Sequence, residues 1–196
     1  MTLDPRRSAR LVYRAVELSD EDFLRKGNDD SSIYQVSPKN ASVFGKKDVT
    51  NLLDFLMNKA LIAVVICLAP AENASTVPTT LIPIGSMSLS PVPPEMRHHR
   101  FTGLGIKLLP EHRGKGYGSE AITWILGWAF DRLGLHRVQL DAFEWNEGAR
   151  KLYERLGFTL EGRSRELLFH EGKFWDEYHF SMLESEYRQK RDENQG

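Results

Sequence analysis

The part of the chain that most restricts its fold runs from residue 101 to residue 133. An alternating, largely apolar segment (residues 101–109) predicts a strand that ends at Pro110. A basic, glycine-rich turn follows, Glu111-His-Arg113-Gly114-Lys115-Gly116-Tyr117-Gly118. Beyond it a long amphipathic helix carries Ile122, Ile125, Leu126, Ala129, Phe130 and Leu133 on one stripe. Glycines at alternate positions let several backbone N–H groups converge at the amino end of that helix, where a phosphate or pyrophosphate accepts their hydrogen bonds. Arg113 and Lys115 add positive charge to the same turn. Neither common nucleotide motif fits. The Gly-Lys-Ser/Thr ending of a phosphate loop is missing, and the glycines do not follow an early strand with an acidic residue some twenty positions on. Taken alone, the residues allow a structural turn with solvated basic side chains as readily as an anion site.

The flanking segments extend the same α/β alternation. Strands are predicted over residues 11–16, 61–68, 80–90 and 136–143, with a charged break at Arg14. Ser19 is placed to cap a short helix, and Val49, Leu52, Leu53, Leu56 and Met57 predict a second over residues 47–59. Polar loops are expected at 27–42, 70–79 and 91–100, the first as a substrate-side loop; Pro93 and Pro94 exclude a continuous ladder in the last. Asn146 or Glu147 opens a helix whose inner face holds Ala149, Leu152, Tyr153 and Leu156, and Gly157 ends it. An antiparallel pair over residues 158–169 and 174–182, joined through Gly172, closes the fold. The reading is a single domain over residues 11–183, with a flexible segment at 1–10 and a polar, frayed tail at 184–196.

Composition narrows the function classes. Of 196 residues, 41% are hydrophobic and 27% charged, with a formal net charge of -1, so no general attraction to nucleic acid is expected. The one cysteine, Cys67, lies in an apolar run and reads as a buried strand residue. The first ten residues lack the apolar core of a signal peptide, and no apolar run reaches membrane-spanning length; the expected location is cytoplasmic. Six scattered histidines argue for no metal site. Trp124 and Trp128, one turn apart, read as core packing.

Arg113-Gly-Lys-Gly116-Tyr-Gly118 resembles the coenzyme A pyrophosphate loop of the GCN5-related N-acetyltransferase (GNAT) superfamily, Gln/Arg-x-x-Gly-x-Gly/Ala. Asn146-Glu-Gly-Ala149-Arg-Lys-Leu152-Tyr153-Glu-Arg-Leu156-Gly157-Phe158 resembles the superfamily's second landmark, an asparagine followed by a helix ending Tyr-x-x-x-Gly-Phe. The run from Leu160 through Gly172 to Asp176 is most similar to the branch of ribosomal-protein N-terminal and polyamine acetyltransferases. The resemblance implies a mixed α/β fold with a strongly twisted sheet of six to seven strands and helices on both faces. It also implies acetyl-CoA as cosubstrate, no metal, and direct transfer of acetyl to a primary amine of a small molecule or of a peptide or protein amino terminus. A non-catalytic acyl-CoA-binding or protein-interaction module of the same fold is the alternative.

The resemblance assigns coenzyme contacts to Arg113, Gly114, Lys115, Gly116, Tyr117 and Gly118. Ile106 and Leu108 join them through the backbone of the preceding strand, which splays from the strand at 136–143. Asn146 and Arg150 complete the set; helix capping is the other reading of Asn146, and cover of an exposed helix face that of Arg150. Tyr153 is expected to protonate the departing thiolate, against the alternative of a core tyrosine. Glu144 is the candidate base. His112 sits where a phosphate contact is expected, and His98, His99 and Glu111 read as surface. Trp145 and Trp175 suggest an aromatic wall for the acceptor or plain hairpin packing; Asp176 and Glu177 suggest attraction for a cationic acceptor or simple solvation. The acceptor amine is the expected partner of a monomer or homodimer, with no nucleic acid and no membrane.

Overall fold

The computed structural model describes residues 4–29, 43–70 and 81–193. Residues 71–79 of the loop expected at 70–79 and residues 30–42 of that expected at 27–42 lie outside the described residues. The fold is mixed α/β, with helices on both faces of a sheet whose seven described strands run in the order β1-β2-β3-β4-β5-β7-β6. The residues cluster into two compact units, and β4 (Phe101–Leu108) and α3 (Tyr117–Gly127) contribute to both.

The first unit contains β1 (Leu11–Arg14), α1 (Glu21–Asp29), α2 (Lys46–Asp54), β2 (Ile62–Leu68), β3 (Ile82–Leu89), the second half of β4 and the first turns of α3. β2 pairs antiparallel with β1 and β3, and its run Val64–Cys67 is buried throughout, as a strand covered on both faces requires. Val16, Leu24, Val49, Leu53, Leu56, Val65 and Cys67 form one apolar cluster, which fixes Cys67 as a core residue. β1 stops at Arg14, short of the expected residue 16, because the Arg14 guanidinium turns onto the buried Asp20 carboxylate at 2.6 and 2.8 Å. The same carboxylate, not Ser19, organises the helix entry by accepting the Glu17 N–H at 2.9 Å. α1 then continues through Gly27 and Asn28, which sequence assigns to a loop.

Gly85 of β3 is required by packing. A Cβ there would overlap the Lys107 carbonyl oxygen and the Leu108 side chain at the end of β4. The Leu109 N–H donates to the Ile84 carbonyl at 2.9 Å, so the strand that delivers the glycine turn is clamped by backbone just before the turn begins.

The second unit contains the first half of β4, the end of α3 with a π-helical turn (Trp128–Arg132), β5 (Arg137–Phe143), α4 (Glu147–Leu156), β6 (Thr159–His170), β7 (Lys173–Leu183) and α5 (Glu184–Glu193). β4 pairs parallel with β5 at three positions, the last being Gly103↔Gln139. β5 pairs antiparallel with β7 along its length, and Val138, Leu140 and Ala142 are buried as their alternation predicts. The π-helical turn shifts the phase of the α3 stripe, so Leu133 is 39% exposed where the helical spacing predicts burial. The expected frayed tail is also different. α5 is helical, its Tyr187 ring lies 5.0 Å from Phe130 and donates its hydroxyl to Asp131, and Lys190 donates to the Arg155 carbonyl.

Candidate functional site

In the first unit the turn after β4 leads directly into α3. Gly114 and Gly116 adopt φ of 71° and 81°, the left-handed region that glycine enters without a Cβ penalty, and Tyr117 opens α3 directly afterwards. Gly118 is therefore already helical. Arg113 donates through Nε to the Leu108 carbonyl at 3.0 Å, tying the turn to the strand before it. Lys115 is exposed, and the His112 ring lies 6.3 Å from that of Tyr117. Ile106 and Leu108 are half-buried in β4, downstream of its last pair with β5. Glu111 is a surface residue, 3.7 Å from Lys26.

In the second unit Asn146 caps α4, its Oδ1 accepting the Ala149 N–H at 3.2 Å. Tyr153 is 8% exposed, packed edge-on against Phe180 and tilted against Phe158. Burial, and secondarily the charge of Asp141, push its hydroxyl up to about 12. Arg150 lies over the Tyr178 ring at 4.2 Å and reaches the Glu144 carbonyl, its Nε buried and unbonded. The Glu144 carboxylate accepts the Asp176 N–H at 2.9 Å, while Glu144 donates its own N–H to the Asp176 carbonyl. Glu144 thus fastens the ends of β5 and β7.

The acetyltransferase (GNAT) family model matches residues 39–158, more than half of the chain. The chain belongs to the GNAT acetyltransferase family. A spermidine N(1)-acetyltransferase of Vibrio cholerae is 36% identical over 89 residues, 45% of this chain and 51% of its own length. The uncharacterized N-acetyltransferase YoaA of Bacillus subtilis is 32% identical over 85 residues, 43% of this chain and 48% of its own length. The chain spans about half the length of the curated relatives it matches. Among solved structures, the Vibrio cholerae spermidine N-acetyltransferase in complex with CoA and spermine superposes with a TM-score of 0.71 at 25% identity, covering 92% of this chain and 99% of its own.

Other side chains of this GNAT chain take structural places. His98 and His99 lie on an exposed 3₁₀ turn, ring centroids 3.8 Å apart. Trp145 stacks between Phe143 and His170 and meets Trp175 edge-on, a packed aromatic cluster at the hairpin. Asp176 is buried, accepting the Glu166 N–H and pairing with Arg163. No helix among the described residues is long and apolar enough to cross a membrane.

Two groups of residues escaped the sequence reading. The first is the amino-terminal segment. Arg10 donates to the Lys115 carbonyl and the Glu120 carboxylate and lies over the Tyr117 ring, while Ser8 donates to Glu120 at 2.6 Å. Burial alone would raise the Glu120 carboxyl; hydrogen bonds from Ser8 and from the Arg10 backbone and guanidinium instead hold it below its usual range. A segment expected to be flexible therefore braces the glycine turn. The second is Asp141 and His179, which join Glu177, already read as an attraction for a cationic acceptor or a solvated residue; polar atoms of the three lie within 4.8 Å of one another on β5 and β7. Arg10 carried no motif, and Asp141 and His179 lie 38 residues apart, joined only by the register.

Proposed function

We propose that the chain transfers acetyl from acetyl-CoA to a primary amine, with the turn at residues 113–118 receiving the coenzyme phosphates. The two left-handed glycines immediately precede the amino end of α3, and Arg113 and Lys115 supply positive charge. Backbone groups of β4 at Ile106 and Leu108 hold the pantetheine arm. Asn146 fixes the start of the helix that carries Tyr153.

The pair of left-handed glycines, Gly114 and Gly116, directly before the start of α3 carries this reading. The Tyr153 hydroxyl, raised by burial, is protonated at neutral pH and is the proposed donor to the leaving thiolate. The amine nitrogen bonds to the thioester carbonyl carbon, the carbon–sulfur bond breaks, and Tyr153 protonates the sulfur. Glu144 accepts a β7 backbone N–H, and Arg150 lies over Tyr178 and reaches the Glu144 carbonyl; neither is assigned a role in the reaction. The similarity to spermidine acetyltransferases supports the polyamine and ribosomal-protein branch, with a small amine or a peptide amino terminus as acceptor.

The test is release of CoA thiol from acetyl-CoA in the presence of n-butylamine, spermidine and a short peptide with a free amino terminus. Amine-dependent release is expected, with kcat about 10²-fold lower in Tyr153→Phe. A wild type that binds acetyl-CoA and turns over none of these amines is a binding module.

A further inference from the structure

Asp141, His179 and Ser164 come from three strands and form one hydrogen-bonded chain. Asp141 and His179 are direct partners across β5 and β7, and Asp141 Oδ1 lies 2.8 Å from His179 Nδ1. On the other side of the ring, Ser164 Oγ of β6 lies 2.8 Å from His179 Nε2. With the Nδ1–H donated to the carboxylate, Nε2 presents its lone pair to the serine hydroxyl, an arrangement suited to taking up a proton. Asp141 stands two residues past Gln139, the last residue of β5 that pairs with β4. The relay thus sits on a stretch of β5 that ends one side of the second unit's sheet, and Asp141 is near enough to Tyr153 to act on its hydroxyl.

The charges around the relay select for a cation. Glu177, on the same face of β7, is raised by burial and then by Asp141. Glu161 of β6 also faces His179, but the Arg137 guanidinium of β5 pairs with it and holds it at about 2. Asp141 is 57% exposed at its side chain and His179 38%, so the face is open to an incoming group. Its chemistry matches an ammonium group, which brings both a positive charge and the proton that must leave before nitrogen can attack.

We infer that Ser164, His179 and Asp141 form the proton-accepting relay for a cationic amine acceptor. This rests on the acetyl-transfer reading. The ammonium N–H breaks as its proton passes to Ser164 Oγ, and the serine proton passes to His179 Nε2. The imidazolium is held by Asp141 and later returns its proton to water. The neutral nitrogen then forms its bond to the acyl carbon. Its second proton, acidic once the nitrogen is acylated, balances the one Tyr153 gives to sulfur. One proton is released in total.

The experiment compares n-butylamine with 2,2-difluorobutylamine, similar in size but mostly neutral at pH 7.5, as acceptors for wild type, His179→Gln, Asp141→Asn and Ser164→Ala. Acetyl-CoA affinity, measured on each variant, reports folding and the coenzyme site independently. For His179→Gln the expected loss in kcat/KM is about 10²-fold with butylamine and within about threefold with the fluorinated amine. Asp141→Asn and Ser164→Ala shift the same ratio in the same direction. Equal losses with both amines assign His179 a purely structural part and overturn the relay. A wild type active only on amines already neutral at pH 7.5 overturns it too. Failure to bind acetyl-CoA at all is a different result, and defeats the acetyl-transfer reading on which the relay rests.

Discussion

The glycine turn of the first unit and the polar face of the second are made of different materials. The turn works through its main chain: positive φ at Gly114 and Gly116, the amino end of α3, and a β4 strand clamped by Gly85 and Leu109. The polar face works through side chains on β5, β6 and β7, placed by strand register and linked by hydrogen bonds. A main-chain site is coupled to the fold that shapes it, so damage to it is damage to stability. A side-chain site on an open strand face can lose its chemistry while the fold persists.

Substitutions can separate the two kinds of site. The largest stability effect is expected for Gly85→Val, whose Cβ has no room against the β4 backbone; a loss of about 3 kcal/mol should appear in chemical denaturation. Gly116→Ala forces a left-handed φ on alanine and places its Cβ 3.2 Å from the Arg10 guanidinium. It is expected to cost about 1–2 kcal/mol and to weaken acetyl-CoA affinity together with stability. Arg10→Ala removes the brace on the turn and should lower stability by about 1 kcal/mol in the same assay. His179→Gln, on the open face, should leave stability within about 0.5 kcal/mol of wild type while removing alkylamine turnover. Comparable unfolding losses for Gly116→Ala and His179→Gln would break the distinction.

The smallest effect is the acid limb of stability. Glu120 is held below its usual value in the folded chain, so its contribution is present above the unfolded value of 4.5 and is lost as pH falls through the folded value. Glu120→Gln should flatten the pH dependence of the melting temperature below pH 4.5.

This division also explains what could be read in advance. Backbone conformation is encoded locally, and the alternate glycines between a strand and an amphipathic stripe announced the turn at 113–118. The same holds for Asn146, which caps α4, and for the alternation of Val138, Leu140 and Ala142. Side-chain sites assembled across strands have no such local signature. His179 and Asp141 become neighbours only once β5 and β7 are in register, and Ser164 joins them from a strand whose pairing is interrupted by a bulge. The contacts of Glu144 with Asp176 and of Arg150 with Tyr178 are likewise long-range and have no local signal. Arg10 was hidden differently: nothing near it in sequence shows that its partners, Lys115 and Glu120, lie more than a hundred residues on.

The most direct test of the account is calorimetric titration of the full chain with acetyl-CoA, for wild type and for Gly116→Trp. Saturable binding by the wild type, lost in a variant that still folds, is the predicted result and places the coenzyme phosphates at the turn. No binding by folded wild type, or undiminished binding by the variant, would contradict it.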